Sequence, residues 1–229
     1  RFYTITCVSC GKTWDEHQTC TTCNDCGNAL EVEMDMGLIG TRLNRFLLEH
    51  APLSTAKYLD FYPIADRSQV ISLREGDTPL YEVKKIGSEV GIKHLFVKNE
   101  GANPTGVFND RGSLVEITKA VEMGANGVCV ASTGNMAASV AAYSSQAGLP
   151  CYILVPEGTP IGKLSQTLSY GGQLIQVRGT YADCVVLSEE MAKRNNYYLA
   201  GDYAFRAEGA KSTAFEIVEQ LHWQVPDAL

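Results

Sequence analysis

The sequence predicts an α/β fold: a parallel sheet in a three-layer arrangement with helices on both faces, preceded by a small cysteine-rich module. Between Val128 and Leu199, short β-rich runs alternate with helix-like segments of roughly 10 to 15 residues over short connections, the pattern of βαβ units in a covered parallel sheet. Five of the eight cysteines fall in the first 26 residues, an odd and tightly spaced set. Such a set suits thiolates on a metal in a reducing cytoplasm better than paired disulfides. With 229 residues and 45% apolar content, the chain can bury one large core or two small ones.

Residues 1–35 read as a zinc ribbon. Cys7-x2-Cys10-Gly11 and Cys23-x2-Cys26-Gly27 are two knuckles, in which the glycine lets backbone amides turn toward sulfur. Cys7, Cys10, Cys23 and Cys26 are the favoured zinc ligands; four thiolates with no open position make a structural site. Cys20 could replace Cys26 through a Cys20-x2-Cys23 knuckle, but Asn24 rather than glycine follows, which leaves Cys20 a spare thiol. His17 reads as a solvated loop histidine once four cysteines complete the shell. A ribbon can also read nucleic acid, yet only Arg1 and Lys12 are basic before position 40. Net charge −7 and a pI near 5.1 argue further against nucleic acid or an anionic membrane as partner. No window approaches the roughly 20 apolar residues of a membrane helix, and the start has no apolar segment of the signal-peptide kind.

Residues 36–70 read as a helical linker, with a helix over Thr41–Glu49 that carries Leu43, Phe46 and Leu47 at helical spacing. Pro52 and Pro63 break the loop after it, and Arg42, Arg45 and Arg67 read as a solvated face. His94–Val97 is a short strand, followed by a turn rich in Gly, Pro and Asn from Asn99 to Gly112. Ser113 then opens a helix, with Glu116 completing a capping box. That places the turn at the carboxyl end of a strand, where open α/β sheets bind ligands. Strands are expected at Val128–Ala131, Cys151–Val155, Leu174–Val177 and Tyr197–Leu199, and helices over about 135–147, 160–170, 181–194 and 207–222. Ala131-Ser132-Thr133-Gly134-Asn135 closes the first strand and opens a helix, whose free amides and positive dipole end suit a carboxylate. A plain helix N-cap cluster accounts for the same residues.

Four ordered blocks resemble threonine synthases, of the tryptophan synthase β superfamily. They are Gly76-Asp77-Thr78-Pro79-Leu80, the run Asn103-Pro104-Thr105-Gly106-Val107-Phe108-Asn109-Asp110-Arg111-Gly112, Ser132-Thr133-Gly134-Asn135, and Arg206-x-Glu208-Gly209-x-Lys211. A ribbon ahead of them favours the threonine synthase branch over tryptophan synthase β or serine dehydratase. The resemblance implies pyridoxal phosphate (PLP) fold type II, with 71–112 and 206–229 in the cofactor-binding large domain and 113–205 as a small parallel α/β domain. It also implies a reaction that converts O-phospho-L-homoserine and water to threonine and phosphate. By the same resemblance Asn135 and Phe108 contact the cofactor, Arg111 joins the catalytic loop, and Ser132, Thr133 and Gly134 hold the substrate carboxylate. Arg206 and Lys211 would then grip the phosphate, Arg206 through paired donors and Lys211 as a point charge.

This sequence departs from the family's pattern in three places. The family's central run is close to NPTGSFKDRG, so Asn109 stands at the lysine that bonds the cofactor. A carboxamide nitrogen shares its lone pair with its own carbonyl and cannot condense with an aldehyde, so threonine synthase activity is expected to be absent or nearly so. Ala200-Gly201 replaces an Asn-Ser pair common in the family. The glycine-rich phosphate cradle, near GNGGN, that the family carries beyond Trp223-Gln224-Val225-Pro226-Asp227 has no counterpart, so the fold type II unit is expected to be incomplete. A non-catalytic relative that binds a phosphorylated amino acid or a partner is the alternative, as is a cysteate synthase-like enzyme using O-phosphoserine. The expected location is cytoplasmic, and association as a homodimer stays open.

Overall fold

The computed structural model describes residues 2–15, 21–52 and 55–229, so Arg1, His17 and Cys20 lie outside the described residues. Strand β1 (Tyr3–Cys7) pairs antiparallel with β2 (Thr13–Trp14) and β3 (Leu30–Met34). Along β3, Leu30 and Val32 are buried while Glu31 and Glu33 face solvent, the period of two that a half-buried strand requires. Helix α1 (Met36–Arg42) is capped by Asp35, which accepts from Leu38 N at 2.8 Å. Helix α2 (Arg45–His50) is capped by Asn44, which accepts from Leu47 N at 3.0 Å. The single helix expected over Thr41–Glu49 is therefore two. Asn44 takes an extended backbone and starts a new helix where apolar spacing alone would run through.

Strand β4 (Leu80–Glu82), helix α3 (Lys84–Val90) and strand β5 (Phe96–Lys98) follow, with β4 and β5 forming an antiparallel pair of their own. The strand expected at His94–Val97 is thus displaced toward Lys98 and does not belong to the parallel sheet. Helix α4 (Asn109–Glu122) begins four residues before Ser113. Its start is fixed by the buried Asp110 carboxylate, which accepts from Thr105 N at 2.8 Å and Thr105 Oγ1 at 2.6 Å. The expected capping box does not form, because Ser113 and Glu116 sit inside the helix and are bonded elsewhere.

Strand β6 (Gly127–Ala131), helix α5 (Asn135–Gln146), strand β7 (Cys151–Pro156), helix α6 (Ile161–Ser169), strand β8 (Gln173–Val177), helix α7 (Tyr181–Asn195) and strand β9 (Tyr197–Leu199) build the parallel sheet. Its order is β8-β7-β6-β9, parallel throughout. All of β6 is buried, and its residues alternate between two cores. Val128 and Val130 join Leu114, Ile117 and Val140 from α4 and α5, while Cys129 and Ala131 join Leu154 and Cys184 under α7. Helices on both faces explain why these strands read as continuous apolar runs.

Helix α8 (Ala204–Ala210) starts earlier than the helix expected from 207, and a bend at Lys211 separates it from α9 (Ser212–Gln220). Helix α8 crosses α4 very closely. A Cβ on Gly209 would stand 2.0 Å from the Arg111 carbonyl oxygen, so only glycine permits this approach.

Candidate functional site

The strand order sets the position of the site. From β6 the chain builds outward through β7 to β8, then returns so that β9 lies on the other side of β6. Ligands of open α/β sheets bind outside the carboxyl ends of strands at such a reversal. The segments that leave the two strands there are Ser132–Asn135 after β6 and Ala200–Arg206 after β9. Helix α4 leads into the amino end of β6, so its own N-terminus, with Phe108 and Asn109, reaches the same carboxyl edge. Ser113 Oγ and Ser139 Oγ, each one turn inside α4 and α5, lie 2.8 Å apart and hold these two helices together near their starts. Ser139 also donates to Asp110 at 2.6 Å.

At this crevice Phe108, Gly134 and Asn135 are exposed, Asn109 and Thr133 are half-buried, and Ser132 is buried. Gly134 N donates to Ser132 Oγ at 3.4 Å, which leaves the first turn of α5 facing the crevice with its positive dipole end. Tyr181, at the start of α7, donates its hydroxyl to the carbonyl of Ala131 at 2.8 Å, immediately before Ser132. Burial, with Asp202 nearby, raises the Tyr181 hydroxyl above its ordinary range, which keeps it a donor. Nothing in the sequence marked Tyr181, and Asp110 and Ser139 gave no signal beyond their polarity. Cavities of about 470 Å³ beside Thr105 and Tyr170, and about 510 Å³ between the cysteine module and β9, do not include these residues.

The two arginines named from the sequence are both turned inward. Arg111 is fully buried; Nε and Nη2 donate to Glu100 at 2.6 and 2.8 Å, and Nη1 and Nη2 to Glu216 at 2.8 and 2.9 Å. Lys98 adds a bond to Glu216 at 2.7 Å. Burial acts to raise Glu100 and Glu216, but the Arg111 hydrogen bonds prevail and hold both below the ordinary carboxylate range. Arg111 thus ties the turn after β5 and helix α9 to α4. Arg206 is 5% exposed and ion-paired to Glu116, whose carboxyl burial pushes up despite that partner. Lys211 is half-exposed on its side chain and pairs with Glu208.

In the N-terminal module the sulfurs of Cys7, Cys10, Cys23 and Cys26 lie within 4.8 Å of one another, with Cys7–Cys26 at 3.5 Å and Cys10–Cys23 at 3.7 Å. Gly11 and Gly27 take φ of 69° and 72°, the left-handed conformation each turn needs after its second cysteine. Asn28 donates to Cys26 Sγ at 3.3 Å and, with its backbone, lowers that thiol to about 6.

Residues 71–229 match the model of the pyridoxal-phosphate dependent enzyme family. The chain belongs to that family. Among curated relatives, it is 45% identical over 223 residues to a threonine synthase of Methanocaldococcus jannaschii, covering 96% of this chain and 55% of the relative. It is 37% identical over 229 residues to one of Methanosarcina acetivorans, covering 99% and 56%. The chain therefore spans about half the length of the curated relatives it matches. Maize serine racemase shares the fold with a TM-score of 0.59 at 28% identity, over 63% of this chain and 45% of that one. The processed form of threonine deaminase isoform 2 from Solanum lycopersicum shares the fold with a TM-score of 0.60 at 21% identity, over 72% and 48%. Family and fold thus stand as a PLP-dependent enzyme with a parallel α/β sheet.

The crevice meets only part of what that cofactor asks. Asn135 and Phe108 are both exposed at the starts of α5 and α4, and position 109 offers a carboxamide. Lys57, Lys98, Lys119 and Lys211 are each committed to a carboxylate. Covalent attachment of an aldehyde at 109 does not fit these residues. Among the described residues, no helix is long and apolar enough to cross a membrane.

Proposed function

We propose that this chain is a threonine synthase-like protein whose crevice at the carboxyl ends of β6 and β9 receives a phosphorylated amino acid, and that it does not turn that substrate over. The observation that carries the reading is Asn109 itself: it stands at the start of α4, with a side chain that cannot form an imine. Relatives at 37–45% identity named threonine synthase support O-phospho-L-homoserine ahead of O-phosphoserine as the ligand. The substrate carboxylate is assigned to Ser132, Thr133, Gly134 and the first amides of α5, where the helix dipole favours an anion.

The test is covalent capture. Incubation with PLP followed by borohydride should leave the peptide carrying Asn109 unlabelled, whereas Asn109→Lys should gain one cofactor mass there. Equal labelling of that peptide in both chains would overturn the reading.

In the N-terminal module, Cys7, Cys10, Cys23 and Cys26 are assigned to a structural zinc ion in a ribbon. A tetrahedron with bonds of about 2.3 Å has edges of about 3.8 Å, close to the two sulfur pairs above. One zinc per chain by metal analysis, lost in Cys7→Ser, is the expected result. A chain that refolds the module without metal would refute it.

A further inference from the structure

We propose that the cavity between the cysteine module and β9 binds a free aromatic α-amino acid, its ring among Tyr198, Tyr203 and Phe205 and its two charges on Glu189 and Lys193. The cavity lies along the last strand of the parallel sheet. Among the described residues β9 pairs with β6 alone, so no strand covers its outer edge. Side chains from both faces of β9 therefore line the space: Tyr198 packs with the core under α4 and α5, and Leu199 with the core under α7. Tyr203 and Phe205 line it from the segment after β9, and Glu189 and Lys193 line it from α7. Its volume of about 510 Å³ lies within the range of small-molecule sites.

The polar groups of this cavity are uncommitted. On α7, Glu190 pairs with Arg194 at 3.2 Å, yet Glu189 and Lys193, at the same spacing, have no partner among the described residues. No described residue bonds the hydroxyls of Tyr198 and Tyr203 either. Burial, and after it the Glu189 carboxylate, raises the Tyr203 hydroxyl above its ordinary range, which keeps it a donor. A carboxylate and an ammonium one helical turn apart complement the ammonium and carboxylate of a zwitterion; an amine or an acid alone leaves one of them unanswered. The rings offer an aromatic side chain apolar contact with edge-on or offset-stacked partners. Tyr203 and Phe205 also belong to the segment that leaves β9 for the crevice, so one stretch of chain borders both spaces. The amino-acid site rests on the cavity and is independent of the ligand proposed for the crevice.

Calorimetric titration with L-phenylalanine, read beside hydrogen exchange by mass spectrometry, tests the site. L-Phenylalanine should bind about tenfold more tightly than phenethylamine, which lacks the carboxylate, and than 3-phenylpropionate, which lacks the ammonium. L-Alanine, which lacks the ring, should bind more weakly by at least the same factor. Bound L-phenylalanine should slow exchange of amides over 196–205. Glu189→Gln should weaken L-phenylalanine about tenfold and leave 3-phenylpropionate within about twofold, whereas Lys193→Met should weaken L-phenylalanine and leave phenethylamine within about twofold. Both substitutions fall at uncommitted side chains, and unchanged exchange over β6 shows that the fold is kept. Absence of saturable L-phenylalanine binding at millimolar concentration would overturn the proposal. So would equal affinity for 3-phenylpropionate, or unchanged affinity in Glu189→Gln. Protection confined to 132–136 would also overturn it, since the amino acid would then sit in the crevice.

Discussion

Arg111 and Arg206 are two buried guanidiniums at the same helix crossing, and they serve different parts of the molecule. Arg111 stands between two carboxylates, Glu100 and Glu216, with Lys98 alongside, so its cluster carries two cations against two anions. Arg206 has one carboxylate, Glu116, and spends the rest of its donors on backbone carbonyls and a hydroxyl. The first cluster joins α4 to α9 and to the turn after β5; the second joins α4 to the segment that leaves β9 at the crevice. Both arginines belong to family-like motifs, yet neither points at solvent. A guanidinium in a motif specifies strong, planar donors, and the fold decides whether they meet a ligand or a neighbouring loop.

The largest expected effect tests the Arg111 side of this contrast. Arg111→Leu leaves Glu100 and Glu216 without their main counter-ion, and loss of one partner from a buried ionic cluster costs about 3–5 kcal/mol. Denaturant unfolding should show that loss. A cost under about 1 kcal/mol would mean that water or Lys98 replaces the guanidinium, and the contrast with Arg206 would fail.

A smaller effect is expected at the crossing that places both arginines. Gly209→Ala puts a methyl 2.0 Å from the Arg111 carbonyl oxygen, which is backbone and cannot step aside. Gly112→Ala meets Arg206 Cγ at 2.6 Å and the Arg206 carbonyl oxygen at 3.1 Å, a smaller overlap. Overpacking of this kind costs about 1–3 kcal/mol, so the unfolding midpoint should fall more for Gly209→Ala than for Gly112→Ala. The reverse order would show that the Arg206 stem is the more rigid of the two.

Much of the sheet was legible because burial on both faces writes itself as β-rich runs such as Val128–Ala131, with helical segments at a repeating distance. The cysteine knuckles were legible for a local reason: Cys-x2-Cys-Gly encodes its own turn, and the structure gathers those four sulfurs. What stayed hidden depends on partners far along the chain. Arg111 meets Glu216 across 105 positions, and Arg206 meets the Asn109 carbonyl across 97. No local pattern reports such a meeting. The misplaced start of α4 has the same origin, since Ser113 and Glu116 imitate a capping box while their side chains answer Ser139 and Gly201. The reversal at β6 and β9, which locates the crevice, is a property of strand order and has no signature in any one segment.

The smallest effect separates the clusters by the sign of their pH dependence. Glu216 has an ordinary value of 4.5 and is held below it in the fold. It therefore contributes stability that is present above about pH 4.5 and is lost as pH falls through the depressed folded value. Glu116 starts from the same 4.5 and is raised by burial, against Arg206. Its folded form keeps a proton that the unfolded chain has released, so stability declines as pH climbs from about 4.5 through that higher value. A glutamine at either position removes the titration. The deficit of Glu216→Gln relative to the unmodified chain should shrink on acidification below about pH 4.5, whereas that of Glu116→Gln should shrink as pH rises above it. Urea midpoints measured between about pH 3 and 7 provide the readout. Parallel slopes for the two variants would mean that both carboxylates feel the same environment, and Arg206 would then be an ordinary buried counter-ion like Arg111.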